Sequence, residues 1–198
     1  MNLTDAQSNT VFEAVVGYLN GCPASAIRNA INLVAEAFIR DTGGIVVESE
    51  DVPARDDGVY HIDAPFGGKI ATVRQVVMCG SPLAPTMYEV TGDESGCVNI
   101  RVNRSGPLRI RATWFPGFST KQLPEQWFRS HVKALSDGTL SMLLLQSSKP
   151  WFDEATGAHF TREFDNDKRD ALYELRAAEC PGGRLSVFDP TYRFVPGV

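Results

Sequence analysis

The sequence predicts an α+β fold: a discontinuous helical module, contributed by both ends of the chain, with an antiparallel β-sandwich or barrel-like domain inserted between them. Two observations predict it. The apolar period is near 3.6 before residue 44 and after residue 116, and it is 2 in between. The 198 residues, 43% of them hydrophobic, are enough for one sizeable core or for one core plus a satellite module. The expected division is therefore 1–44 with 116–180 as the helical module, 45–115 as the inserted β-domain, and 181–198 as an extended tail.

The first helix is marked by Phe12, Val15, Val16 and Leu19 on one face, and Asn20-Gly21 stops it. Pro23 stands where a first helical residue is expected, because a missing N–H costs nothing there. Ile27, Ile31, Val34 and Phe38 follow at helical spacing, with Ala26, Ala30, Ala35 and Ala37 widening the stripe. Small residues of this kind suit close helix–helix packing. Asp41-Thr42-Gly43-Gly44 ends this second helix.

Residues 45–115 are rich in Val, Ile and Thr, and six short strands are expected in them. Val98, Ile100 and Val102 alternate with Asn99 and Arg101; Leu108, Ile110 and Ala112 alternate with Arg109 and Arg111. This alternation means one buried and one wet face. Turn clusters separate the runs, among them Asp56-Asp57-Gly58, Gly67-Gly68 and Ser105-Gly106-Pro107.

Pro124 opens a long third helix with Phe128, Val132, Leu135, Thr139, Met142, Leu143 and Gln146 along its face. Gly138 lies inside it. A helical glycine costs about 1 kcal/mol relative to Ala, so a neighbouring backbone is expected close by. Lys149-Pro150 breaks the helix and Trp151 is expected to be buried in the corner. Asp153 can cap a fourth helix reaching about Glu179, with Phe160, Phe164, Ala171, Leu172 and Leu175 on its apolar side. On its charged side, Asp165 and Arg169 have i,i+4 spacing. Cys180-Pro181-Gly182-Gly183 ends it. The tail then carries Val187, Phe188, Tyr192, Phe194 and Val195, too apolar a set to leave in water on a monomer. These five are the expected contacts with a partner.

The chemistry that an enzyme needs is not legible. Gly67-Gly68-Lys69 fails as a phosphate loop, since Asp63 replaces the upstream glycine and Ile70 follows the lysine. There is no G-x-S-x-G elbow. His61, His131 and His159 stand far apart, although the last two could meet if their helices pack. Cys22, Cys79, Cys97 and Cys180 form no C-x-x-C pair, and none is near a histidine at metal-ligand spacing. Asp165-Asn166-Asp167 lacks the glycine of a calcium loop. Trp114, Trp127 and Trp151 adjoin prolines or helix boundaries and read as corner-packing residues. No catalytic, cofactor-binding or metal residue is therefore expected, and the chain is not expected to be an enzyme.

With 24 acidic and 19 basic residues the net charge is −5, which argues against a dedicated nucleic-acid binder. The densest basic stretch, Arg101 to Arg111, reads as a solvated strand face. Met1 to Ser8 is polar, so no signal peptide is expected. The longest strongly apolar run, Met142 to Leu145, is far too short to cross a bilayer, so no membrane partner is expected.

Two segments resemble the tailed-phage head-to-tail adaptors of the podovirus tail-tubular-protein type. The first is Gly21-Cys22-Pro23, Ile27, Ala30, Val34-Ala35, Phe38 and Asp41-Thr42. The second is Leu123-Pro124, Ala134-Leu135, Gly138-Thr139-Leu140, Leu143, Lys149-Pro150-Trp151, Asp153, His159 and Phe164. The β-region is similar only in pattern, and Ile45-Val46 departs from it where an aromatic is expected. The resemblance implies a homo-oligomeric ring of about twelve copies with closed symmetry. Such a ring joins the portal protein to the tail nozzle protein, and tail fibres are a further implied partner. Genomic double-stranded DNA passes through its channel without sequence-specific binding. The implied location is the virion, at the head–tail interface, after assembly in the host cytoplasm. The alternative from the residues alone is a monomeric module whose β-domain binds carbohydrate or protein on a helical stalk.

Overall fold

A computed structural model of the chain describes residues 1, 3–53, 58–92, 96–117 and 119–179. Among the described residues, four α-helices and seven strands make an α+β fold: α1 Asp5–Val15, α2 Ala24–Asp41, β1 Ile45–Glu48, β2 Val59–Ile62, β3 Lys69–Met78, β4 Ser81–Pro82, β5 Tyr88–Gly92, β6 Val98–Val102, β7 Leu108–Phe115, α3 Glu125–Leu144 and α4 Glu154–Glu179. The expected tail, 181–198, lies outside the described residues.

Helices from the two ends of the chain share one core. Val11 and Val15 of α1, Ile27, Ile31, Val34 and Phe38 of α2, and Phe128, Leu135, Leu140 and Leu143 of α3 are all buried in it. Phe38 is its aromatic centre, with the rings of Trp127, His131 and Phe164 all within 6.0 Å of its own. Both α2 and α3 begin after an extended proline, Pro23 (ψ 137°) and Pro124 (ψ 127°), with no side-chain cap. Pro23 thus sits one position before the expected one. A proline cannot donate, and its fixed φ delivers the chain into the first turn. Val16 is exposed rather than on the buried face, because α1 stops at Val15 and a single 3-10 turn, Val16–Tyr18, rotates the stripe. Met142 is exposed for a related reason: the buried face of α3 runs through Thr139, Leu140, Leu143 and Leu144.

The β-domain is two antiparallel sheets packed face to face, one in the order β1-β7-β3-β4 and the other β2-β6-β5. Tyr60, Ile62, Val98, Ile100 and Val102 from the second sheet meet Val76, Met78, Leu108, Ile110 and Ala112 from the first. The strict alternation in β6 and β7 places Arg101, Arg109 and Arg111 away from this core. Arg109 bonds Asp51 and Glu48 there. Two register shifts in β3, between Ile70 and Thr72 and between Val73 and Gln75, help curl the larger sheet.

The sandwich does not simply project from the helices. Ile45 and Trp114, paired across β1 and β7, are both buried in the helical core. The Trp114 indole N–H donates to the Pro65 carbonyl at 2.8 Å. Gly68 lies against this ring so closely that a Cβ there would collide with Trp114 Nε1 and the Phe115 carbonyl oxygen. The glycine pair thus closes a turn, Pro65–Gly67, and brings the Gly68 backbone against a buried tryptophan.

Candidate functional site

The α3–α4 seam is where the two helix-packing residues fall. A Cβ at Gly138 would stand 2.6 Å from Val34 Cγ1 and 2.8 Å from Phe164 Cε2. The close neighbours are therefore side chains of α2 and α4, not the expected backbone. Thr139 donates to the Leu135 carbonyl, so its hydroxyl is satisfied while buried. Trp151 is partly buried in the corner, and its buried indole N–H finds no acceptor among the described residues. It packs against the helical core from the turn between α3 and α4.

Charge fastens the same seam. Lys133 on α3 meets Asp137 at 2.7 Å, Asp167 at 3.2 Å and Glu163 at 3.6 Å, the last two from α4. Its hydrogen bond to Asp137 raises its pKa above the ordinary lysine range, partial burial opposes this, and the bond to Asp167 adds to it. Asp153 caps α4, accepting from Thr156 N–H at 3.1 Å and from the Thr156 hydroxyl at 2.6 Å. These bonds hold its carboxyl below the usual carboxylate range, the hydroxyl bond contributing most. Asp165 pairs with Lys168 at 2.8 Å instead of with Arg169, which turns to Asn166.

A shallow cleft of about 180 Å³ opens where the helices meet β1, between Thr42, Gly44, Val46, Trp127, His131 and Leu175. It is smaller than an ordinary ligand pocket of about 300–1,000 Å³. His131 stacks on Trp127 with ring centroids 4.5 Å apart and its Nδ1 faces the Trp127 carbonyl. His159 instead lies beside Phe160, so the two helix histidines occupy different parts of the seam.

Apolar side chains left outside gather at the start of α4. Tyr18 meets Phe160 edge to face at 5.5 Å, Leu145 lies against Gly157, and Phe152 precedes the helix. All of Tyr18, Leu145 and Phe152 are more than 40% exposed. Phe160, Phe164, Ala171, Leu172 and Leu175 are only partly covered, because α4 packs chiefly on α3. The tail residues Val187, Phe188, Tyr192, Phe194 and Val195 lie outside the described residues.

The outer face of the smaller sheet holds a group that sequence spacing missed. His61 Nε2 lies 3.2 Å from Asp63 Oδ1, and Cys97 Sγ lies 3.5 Å from the same oxygen. Cys97 is 36 residues from this histidine in the chain, and only the β2–β6 register brings them together. Among the described residues, no disulfide joins Cys22, Cys79 or Cys97, and no helix is long and apolar enough to cross a membrane. No protein-family model matches the chain, and no curated protein matches it.

Proposed function

We propose that the protein is a structural, non-enzymatic subunit of a homo-oligomeric ring that joins a phage portal to its tail nozzle and surrounds the DNA channel. The observation that carries this reading is the closure of helices from both chain ends on one core around a β-sandwich, the layout that the resemblance implies. The partly covered face of α4 and the exposed Tyr18, Leu145 and Phe152 offer apolar surface for neighbouring subunits. An acidic chain suits a channel through which DNA slides, since basic surfaces bind phosphates strongly.

The test is electron microscopy of the purified protein with and without the portal ring of the same phage. A second ring of density on the portal is the expected result. A protein that stays at 21.7 kDa and adds nothing to the portal overturns the proposal and favours a monomeric binding module. Deletion of residues 184–198 is expected to weaken joining, because apolar and aromatic residues such as Val187, Tyr192 and Phe194 suit docking by strand addition or by aromatic anchoring. Unchanged affinity and copy number would remove the tail from the assembly surface.

A further inference from the structure

We propose that His61, Asp63 and Cys97 form a binding site for a thiophilic divalent cation of the zinc type, which staples edge strand β2 to β6. The argument starts with register. His61 pairs with Asn99 and Ile62 with Val98 in the antiparallel β2–β6 ladder. Continued by one residue, this register sets Cys97 opposite Asp63. Side chains two apart share a face, so His61, Asp63, Cys97 and Asn99 form a square on one side of the sheet. Ile62 and Val98, of opposite parity, are buried in the sandwich, so the square is on the outer side.

The donor atoms converge within that square. All three lie within 4.8 Å of one another. A tetrahedral zinc ion has bonds of about 2.0 Å to nitrogen and oxygen and about 2.3 Å to sulfur, which sets its donors about 3.3–3.6 Å apart. The observed nitrogen–oxygen and sulfur–oxygen separations, 3.2 and 3.5 Å, are close to those edges. Three protein donors leave one tetrahedral position, which water would fill.

The second shell points the same way. His61 Nδ1 lies 2.8 Å from Asn99 Oδ1. When Nδ1–H donates to that oxygen, a neutral imidazole turns the lone pair of Nε2 towards Asp63. In that tautomer two lone-pair atoms face each other at 3.2 Å, an arrangement that a proton or a metal ion between them would satisfy. The third donor, a cysteine sulfur that would bind as a thiolate, distinguishes the metal: a soft sulfur ligand selects zinc-type ions over magnesium or calcium. Asn99 then has the usual role of the group that fixes the tautomer of a ligating histidine.

The test uses the full-length protein, reduced with a phosphine, stripped of metal and titrated with Co²⁺. One equivalent is expected to produce a near-ultraviolet thiolate-to-cobalt band that Zn²⁺ abolishes on displacing cobalt. Cys97→Ala should lose the band, while Cys22→Ala/Cys79→Ala keeps it. Asn99→Ala should retain the band and bind about 10–100-fold more weakly. Circular dichroism of each metal-free variant checks that it is folded; Asn99→Ala and His61→Gln serve if Cys97→Ala is not. Absence of the band from the wild-type protein, or its persistence in Cys97→Ala or His61→Gln, overturns the proposal.

Discussion

Gln7 and the backbone of Leu123 close a pair of hydrogen bonds across 116 residues of chain: Gln7 Nε2 donates to the Leu123 carbonyl at 3.0 Å, and Leu123 N–H donates to Gln7 Oε1 at 3.1 Å. Both residues are buried. One amide thus joins the first helix to the segment that leads into α3. Gln7→Ala leaves a buried donor and a buried acceptor unpaired, and is expected to cost about 1–3 kcal/mol. Gln7→Glu restores only the acceptor and should recover little. Urea denaturation of both variants checks this; a midpoint equal to wild type in Gln7→Ala would refute it.

Gly138 is expected to resist even alanine. Alanine gains about 1 kcal/mol of helix propensity over glycine. Against that, the new methyl meets Val34 Cγ1 at 2.6 Å, and a β-branched side chain on a helix has little rotamer freedom. Gly138→Leu should lose about 1–3 kcal/mol through overpacking. In Val34→Ala/Gly138→Ala the two changes should be less costly together than their sum, a coupling that a double-mutant cycle reads directly.

Gly68→Ala should be more severe than Gly138→Ala. Its Cβ collides with the Trp114 ring and also with the Phe115 carbonyl, and a backbone oxygen cannot rotate away. The expected cost is about 3 kcal/mol, at the upper end for overpacking. Trp114→Phe tests the same contact from the other side: it leaves the Pro65 carbonyl without its indole donor, for about 1–3 kcal/mol. Thermal melts showing both variants at the wild-type midpoint would remove Trp114 as the pin between sandwich and helices.

The α4 cap predicts a pH dependence of definite sign. The Asp153 carboxyl is held below its ordinary range, so its stabilising effect is present above that range and disappears as pH falls through the lowered value. Lys133 is raised, so its contribution is present below the ordinary lysine range and is lost only as pH climbs through the raised value. Around neutrality both operate. Below about pH 4 the first turn of α4 should exchange its amides faster than the rest of the helix. Asp153→Asn keeps a capping oxygen without the titration, and should remove the acid step from hydrogen exchange at Thr156. Persistence of that step would place its origin elsewhere.

Much of the fold was legible because it rests on local rules. The change of period at residue 45, the prolines before α2 and α3, the Asp153 cap and the alternation in β6 and β7 each act over a few residues. The errors fall where neighbours distant in sequence decide. Val16 turned outward when α1 ended in a 3-10 turn, and Met142 stayed exposed because the buried face of α3 runs through Leu140, Leu143 and Leu144. The polar Gln7 carried no apolar signal at all, yet it joins two distant segments.

By itself the sequence determined the four helices, most of the strands and most of the residues on their apolar faces, since these follow from the spacing of side chains along a regular backbone. Only the tertiary structure decided that Val34 and Phe164 crowd Gly138, that Trp114 belongs to the helical core, and that His61, Asp63 and Cys97 stand together. The physical reason is register and packing. A one-residue shift between β2 and β6 would move Cys97 to the other side of the sheet from His61, and the spacing of residues along each strand is the same in either alignment.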